Sequence, residues 1–301
     1  MKDISIRTSQ DDLCCFRQIE TGDIRLVWEI TNRCNMQCKH CFIDQSDIRS
    51  ELNTQECFAV IDDFKNFPVG KVMLTGGEPF LRKDIFEIVE RIKSTDENIL
   101  MDITTNMTLL DCRKIEYFTK SNIDELTTSL DGNREVHDEI RGQKGNFDHV
   151  ISMTKRLRKM NLKVDLVSVI NKMNFKMIGE IIDIGYSTGF SSITVSGLIR
   201  RGTNSNMEYL ALSKKDIHEV ITVVDTKRKE YGSRFAIRTV AIHGGWEGML
   251  CNINNVICLN HKGDVARCFL TSDDRMMIYN VRNNKLSDIY DKLGNVKCIL
   301  V

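Results

Sequence analysis

An α/β fold, a parallel sheet wrapped by helices, is what this chain predicts, and three observations predict it. Short apolar runs alternate six times with amphipathic stretches between about residues 25 and 230. The stretches repeat apolar side chains at i, i+3, i+4 and i+7, whereas the runs are strand-length and rich in Val and Ile. Only Pro68 and Pro79 interrupt the pattern, and no low-complexity linker or internal repeat divides it. Six β–α units in a row give a parallel sheet. Right-handed crossovers curl such a sheet into a barrel or a doubly wound sheet, and the pattern alone leaves both open.

Residues 1–24 are polar and weakly patterned, and the adjacent Cys14 and Cys15 read as ordinary thiols. The first strand falls at about 25–31 and its helix at about 54–67, where Cys57, Val60, Ile61 and Phe64 share a face, so Cys57 reads as core. The second strand, about 71–75, precedes a helix with Ile85, Ile88, Val89 and Ile92 on one side. A third strand at about 99–104 leads to a helix near 110–120, in which Cys112 reads as packing. Then come a strand at about 125–130 and a helix near 146–160, and a strand at about 163–170 and a helix near 174–188. A sixth strand at about 192–198 is followed by a helix near 213–230 carrying Ile217, Val220, Ile221 and Val224. After about residue 232 the alternation is expected to stop.

The chemistry-bearing residues fall at strand ends. Cys34, Cys38 and Cys41 follow the first strand with C-x3-C-x2-C spacing, and the next cysteine is Cys57. Thiolates are soft ligands suited to iron–sulfur clusters and zinc. A closed zinc site needs a fourth ligand, here His40 or a distant residue. Three thiolates on a four-iron cluster leave one iron open to a non-protein ligand. Strand two ends in Thr75-Gly76-Gly77-Glu78-Pro79, where two glycines permit close backbone approach and positive φ. Strands three and four end in Thr104-Thr105-Asn106 and Ser129-Leu130-Asp131-Gly132, residues that also form turns. His137-Asp138-Glu139-Ile140-Arg141-Gly142 follows.

Together these motifs resemble the radical S-adenosylmethionine (SAM) superfamily. The resemblance implies a partial (β/α)6 TIM-like barrel, open on one side, with its chemistry at the C-terminal ends of the strands. It implies that Cys34, Cys38 and Cys41 hold a 4Fe–4S cluster whose open iron is chelated by SAM. Gly76, Gly77, Glu78 and Pro79 match the GGEP signature that holds the SAM amino group. Thr105, Asn106, Ser129 and Asp131 occupy positions used for its ribose and carboxylate. Arg141 becomes a two-point clamp for that carboxylate, and His137 reads as structural. The stretch from Ser168 to Asn174 resembles the adenine-side edge, and Ser196 and Gly197 are further SAM-site candidates.

The last third carries Cys251, Cys258, Cys268 and Cys298. Cys251 to Cys268 reads C-x11-G-x4-C through Gly263, similar to the opening of a SPASM or Twitch domain, an extension that holds auxiliary 4Fe–4S clusters. Residues 258–268 read as a hairpin bringing Cys258 near Cys268. The stretches Met277–Val281 and Leu286–Tyr290 resemble that domain's strand-then-helix tail. The count implies one auxiliary cluster held by Cys251, Cys258, Cys268 and Cys298. The expected division is an N-terminal segment 1–24, a core 25–232 and an auxiliary-cluster domain 233–301.

Composition excludes other classes. Lys+Arg and Asp+Glu are both 42, so no basic footprint for nucleic acid is present. No apolar run approaches a membrane span, and the start lacks a signal-peptide core. Eleven cysteines without an export signal argue for metal-held thiols in a reducing cytosol, hence a cytoplasmic protein. The resemblance further implies reductive cleavage of SAM to a 5′-deoxyadenosyl radical, which abstracts a hydrogen atom from substrate. The electron comes from reduced flavodoxin or a ferredoxin-type donor. The expected substrate is a ribosomally made precursor peptide, crosslinked or epimerised. The alternative is a small metabolite such as a sugar, nucleotide or cofactor precursor.

Overall fold

The computed structural model describes residues 24–121, 123–199, 207–240, 256–267 and 279–293. Seven strands run parallel and in chain order: β1 (Ile24–Thr31), β2 (Val69–Gly76), β3 (Leu100–Thr104), β4 (Glu125–Ser129), β5 (Lys163–Val169), β6 (Ser192–Ser196) and β7 (Ala236–Val240). The helices between them are α1 (Thr54–Asp62), α2 (Ile85–Thr95), α3 (Cys112–Lys120), α4 (Arg134–Arg141), α5 (Asn146–Lys159), α6 (Ile178–Thr188) and α7 (Lys214–Tyr231). On the far side of β1 the chain adds β8 (Val256–Leu259), parallel to β1, then the antiparallel β9 (Asp264–Ala266) and β10 (Tyr279–Asn280). The helix α8 (Leu286–Leu293) follows. The sheet order β10-β9-β8-β1-β2-β3-β4-β5-β6-β7 is the parallel α/β, partial-barrel architecture expected.

Two differences from the expected pattern have local causes. The β–α alternation runs one strand past residue 232, because β7 pairs in parallel with β6 from Ser192↔Ala236 to Ser196↔Val240. In its five residues the apolar Ala236 and Ile237 are adjacent and Val240 follows only after Arg238 and Thr239, so neither an alternation nor an unbroken apolar run marks it as a strand. Helix α4 was absent from the periodic reading because its eight residues bury only His137 and Ile140. Its ends are well marked: the Asn133 side chain accepts from Val136 N, and Gly142 closes it at φ +67°.

The sheet has two chemically distinct faces. One packs under the helices with Ile24, Leu26, Trp28, Ile30, Val72, Leu74, Met101, Ile103, Val164 and Leu166 in a single core. Alternation places the intervening residues on the other, concave face. There Lys71 bonds Glu125, with Asp102 at 3.7 Å. Thr127 Oγ1 donates to Asp102 at 3.0 Å, and Arg238 Nη1 donates to Ser192 Oγ at 2.8 Å. Burial pushes the Asp102 carboxyl up to about 7, against the lowering effect of Lys71 and with Glu125 adding to the rise. Among the described residues no helix is long and apolar enough to cross a membrane.

Candidate active site at the carboxyl ends of the strands

β1 delivers the chain to a loop carrying Cys34, Cys38 and Cys41, all partly exposed and in no disulfide. The loop is tied internally by Cys41 N donating to Cys38 O and by the Asn32 side chain donating to Asp44 O and Asp47 O. Glu51 returns to its root, accepting from Thr31 Oγ1 at 2.8 Å and Asn32 N at 2.9 Å. Burial pushes the Cys34 thiol up to about 11, and negative charge at Cys38, Glu78 and Cys41 would add to this. Cys41 is raised chiefly by burial as well. The donor set fits an iron–sulfur cluster: three soft ligands on one loop, close enough to feel one another's charge. Among the described residues no three His, Cys, Asp or Glu side chains come together as ligands of a single metal ion.

The two glycines of the second motif serve this loop directly. Gly77 N donates to Thr31 O and Glu78 N to Arg33 O, both at 2.7 Å, so β2's exit is zipped to the residues before Cys34. A Cβ on Gly76 would lie 2.3 Å from Thr31 O, and one on Gly77 would lie 2.1 Å from Arg33 O. Gly76 also has φ +117°. The close approach anticipated for a ligand is thus, at the Cβ positions, an approach to the chain's own backbone. Pro79 and Phe80 are buried in the turn that follows.

Glu78 is fully buried and reaches across to β3's exit. Its carboxylate accepts from Thr105 Oγ1 at 3.0 Å, Asn106 N at 2.8 Å and Phe80 N at 3.1 Å. Burial pushes this carboxyl up to about 7, while the donors from Asn106, Phe80 and Thr105 work to keep it ionised. Asn106, so placed, turns its Nδ2 to Asn35 Oδ1 at 2.9 Å and to Cys34 Sγ at 3.9 Å.

β4's exit forms the other wall. Asp131 is fully buried; its Oδ1 accepts from Val169 N at 2.8 Å and its Oδ2 pairs with Arg141 at 2.6 Å. Burial is the largest single influence on the Asp131 carboxyl and raises it, but Arg141, His40, His137 and the Val169 N–H together outweigh burial and hold the group below the usual range. Arg141 Nη1 lies 3.8 Å from Cys38 Sγ. His137, as expected, is structural: Nδ1 accepts from Asp131 N at 3.0 Å, and Nε2 bonds Asn146 Oδ1 at 2.8 Å. His40 is buried with Nε2 3.8 Å from Asp131, and burial holds it down at about 4, so it is neutral.

The structure therefore gathers Cys34, Cys38, Cys41, Glu78, Thr105, Asn106, Asp131 and Arg141 through direct contacts. Ser129 ends β4 opposite Val167, Ser196 ends β6 opposite Val240, and Gly197 N, just past β6, donates to Val240 O. Cys57 is core, as expected, and burial pushes its thiol up to about 12. Cys112 is instead exposed at the start of α3, its Sγ 3.4 Å from Arg156 Nη2, because the helix buries the face of Ile115 and Phe118. Cys258 lies buried on β8 opposite Ala266 of β9, which gives the expected hairpin. Cys14, Cys15, Cys251, Cys268 and Cys298 lie outside the described residues.

Sequence reasoning missed two arginines that fix the loop. Arg82 donates from Nη1 to Ile30 O and Leu52 O, at 3.1 and 2.9 Å. Arg282 donates to the nearby Lys262 O and, across more than two hundred residues, to Ser50 O and Glu56, a separation at which no local pattern signals a contact. His261, in the β8–β9 turn, was also missed; it is buried with neither ring nitrogen hydrogen-bonded.

The family profile described as the Radical SAM superfamily matches residues 28–184. Fe-coproporphyrin III synthase of Methanosarcina barkeri is 30% identical over 226 residues, covering 74% of this chain and 56% of that protein. Mycofactocin maturase MftC of Mycolicibacterium smegmatis is 27% identical over 277 residues, covering 88% of this chain and 69% of that one. In fold the chain resembles Streptococcus suis SuiB bound to S-adenosylmethionine, with a TM-score of 0.75 at 18% identity over 89% of this chain and 65% of that one. It also resembles SuiB bound to precursor peptide SuiA, with a TM-score of 0.72 at 18% identity over 89% and 64% of the two chains. The match spans little more than half the length of the first of these relatives.

Proposed function

The chain belongs to the radical SAM superfamily, and from that premise we propose that it uses SAM and a 4Fe–4S cluster on Cys34, Cys38 and Cys41 to abstract a hydrogen atom from a ribosomally made peptide and so modify it, by crosslinking or epimerisation. The observation that carries the catalytic part is the zipped loop: Gly77 and Glu78 bond the backbone just before Cys34, while Glu78 fixes Asn106 beside it. When bound, the cluster and SAM supply one-electron radical chemistry that no side chain can furnish. The protein's part is placement. Gly76 to Pro79 hold the SAM amino end beside the loop. Thr105, Asn106 and Ser129 would hold its ribose and carboxylate, Arg141 would pair with the carboxylate, and Ser196 and Gly197 would complete the site. Asp131 acts through Arg141.

The peptide reading is supported by the likeness to SuiB, seen bound to a precursor peptide, and by the match to a maturase over 88% of this chain. A second reading, a small metabolite, is favoured by the 30% identity to Fe-coproporphyrin III synthase. We also assign an auxiliary 4Fe–4S cluster to Cys251, Cys258, Cys268 and Cys298 in a SPASM- or Twitch-like C-terminal region; the β8–β9 hairpin supports it by turning the chain back beside Cys258.

Anaerobic reconstitution followed by assay for 5′-deoxyadenosine tests the catalytic reading. The parent should cleave SAM, and the C34A/C38A/C41A variant should not; undiminished cleavage in that variant overturns the assignment. Faster cleavage with a short peptide encoded beside this gene supports the peptide substrate, and faster cleavage with iron coproporphyrin supports the metabolite. Iron should be about eight per chain in the parent and about four in the triple variant, one 4Fe–4S cluster's worth being lost. About four falling to none removes the auxiliary cluster.

A further inference from the structure

Arg141 is held by geometry toward a cluster ligand as well as toward any bound cofactor. Its Nε and Nη2 both meet Asp131 Oδ2 at 2.6 Å, and the other Asp131 oxygen is fixed by Val169 N. The fork can therefore turn only one way, and Nη1 lies 3.8 Å from Cys38 Sγ. The backbone sets the same spacing independently. Lys39 N donates to Ile140 O at 2.8 Å, and a Cβ on Gly142 would lie 2.9 Å from Gln37 O, so the end of α4 is docked on the cysteine loop. The Arg141 side chain is only 12% exposed, so water screens this contact little. On the opposite side of the loop Asn106 Nδ2 approaches Cys34 Sγ.

We propose that Arg141, oriented by Asp131, is a redox-positioning residue: its N–H directed at the Cys38 sulfur raises the reduction potential of the SAM-binding cluster. Hydrogen bonds to cluster sulfurs and nearby charge are established levers on iron–sulfur potentials. Reduction adds negative charge to the cluster, so an N–H donor and a cation beside Cys38 stabilise the reduced form more than the oxidised one. Asn106 adds a weaker donor of the same sign at Cys34. The proposal rests on the radical SAM reading and gives Arg141 a task that exists before SAM arrives.

The test is an EPR-monitored redox titration of the reconstituted full-length chain without SAM, following the signal that SAM addition perturbs. R141M keeps the length of the side chain and removes every N–H. At a fixed potential its reduced-to-oxidised ratio should fall at least tenfold, a shift of about 59 mV to more negative potential for one electron, with iron content unchanged. R141K, which keeps charge without the fork, should fall between R141M and the parent. A midpoint equal to the parent's in R141M, with full iron, overturns the proposal; lower SAM affinity in the same variant would then leave Arg141 a cofactor clamp only. Loss of the cluster from R141M also overturns it, because a tuning residue is not needed to hold iron. A parent that takes up no cluster is a failure of the radical SAM reading itself.

Discussion

Gly77 has an ordinary backbone conformation, yet no other residue fits there, because the obstacle is the Arg33 carbonyl 2.1 Å from where a Cβ would stand. Gly77→Ala must push the cysteine loop away from β2's exit. The expected cost is about 1–3 kcal/mol, as for overpacking elsewhere, read as a lower thermal midpoint of the apo-protein. An unchanged midpoint would mean that the loop is not held by this contact. The thiols give a second prediction at the same scale. Cys34, pushed up to about 11, and Cys41, also raised, are protonated near neutral pH and must lose protons to bind iron. Cluster loading should therefore strengthen as pH rises from about 6 to about 8 and release at least two protons per cluster. Calorimetry in buffers of different ionisation enthalpy measures that number, and no release would contradict the assigned ligands. Residue types were readable in the sequence here, since thiol spacing and paired glycines are local. What Asp131 does was not: its partners Arg141 and Val169 are set by tertiary packing.

Elements with a long apolar stripe were legible to within a few residues, as in α2, where Ile85, Ile88, Val89 and Ile92 are all buried. Short or polar ones were not: α4 and β7 lack a stripe, and α1 stops at Asp62 where a helix to about 67 was expected. Beyond that end, Asp63 accepts from the Asn66 side chain and from Ser287 N and Oγ, which docks α8 on the barrel. Arg282 is the companion staple, joining the β8–β9 turn through Lys262 O to the cysteine loop through Ser50 O and to α1 through Glu56. Arg282→Ala should loosen that junction by about 1–2 kcal/mol, reduced from the full value of charge-assisted bonds because the side chain is one-third exposed. Hydrogen exchange should quicken in residues 50–52 and 260–263 while β5 and β6 stay protected. Uniform exchange across the chain would show that the junction carries no local stability.

At the scale of the whole molecule, parallel pairing followed from the alternation and the barrel-like strand order from the family resemblance, and the cysteine loop gathers with the β2, β3 and β4 exits because parallel strands put their exits at one end. The charged concave face did not follow, because alternation tells which residues share a face but not which face is apolar. That face has a consequence for stability. Asp102 is 1% exposed and pushed up to about 7 by burial, whereas an unfolded aspartate titrates near about 3.9. Between those values the folded chain binds more protons than the unfolded one, so this group's contribution to stability falls as pH rises from about 4 to about 7. Asp102→Asn removes the titration while keeping an acceptor for Thr127 and leaving Lys71 its bond to Glu125. The unfolding free energy of the apo-variant, measured in urea, should gain on the parent by at least about 1 kcal/mol between pH 4 and pH 7.5. Parallel pH profiles for the two would mean that Asp102 is ionised in the folded chain at its ordinary pKa, with Lys71 fully offsetting the cost of burial.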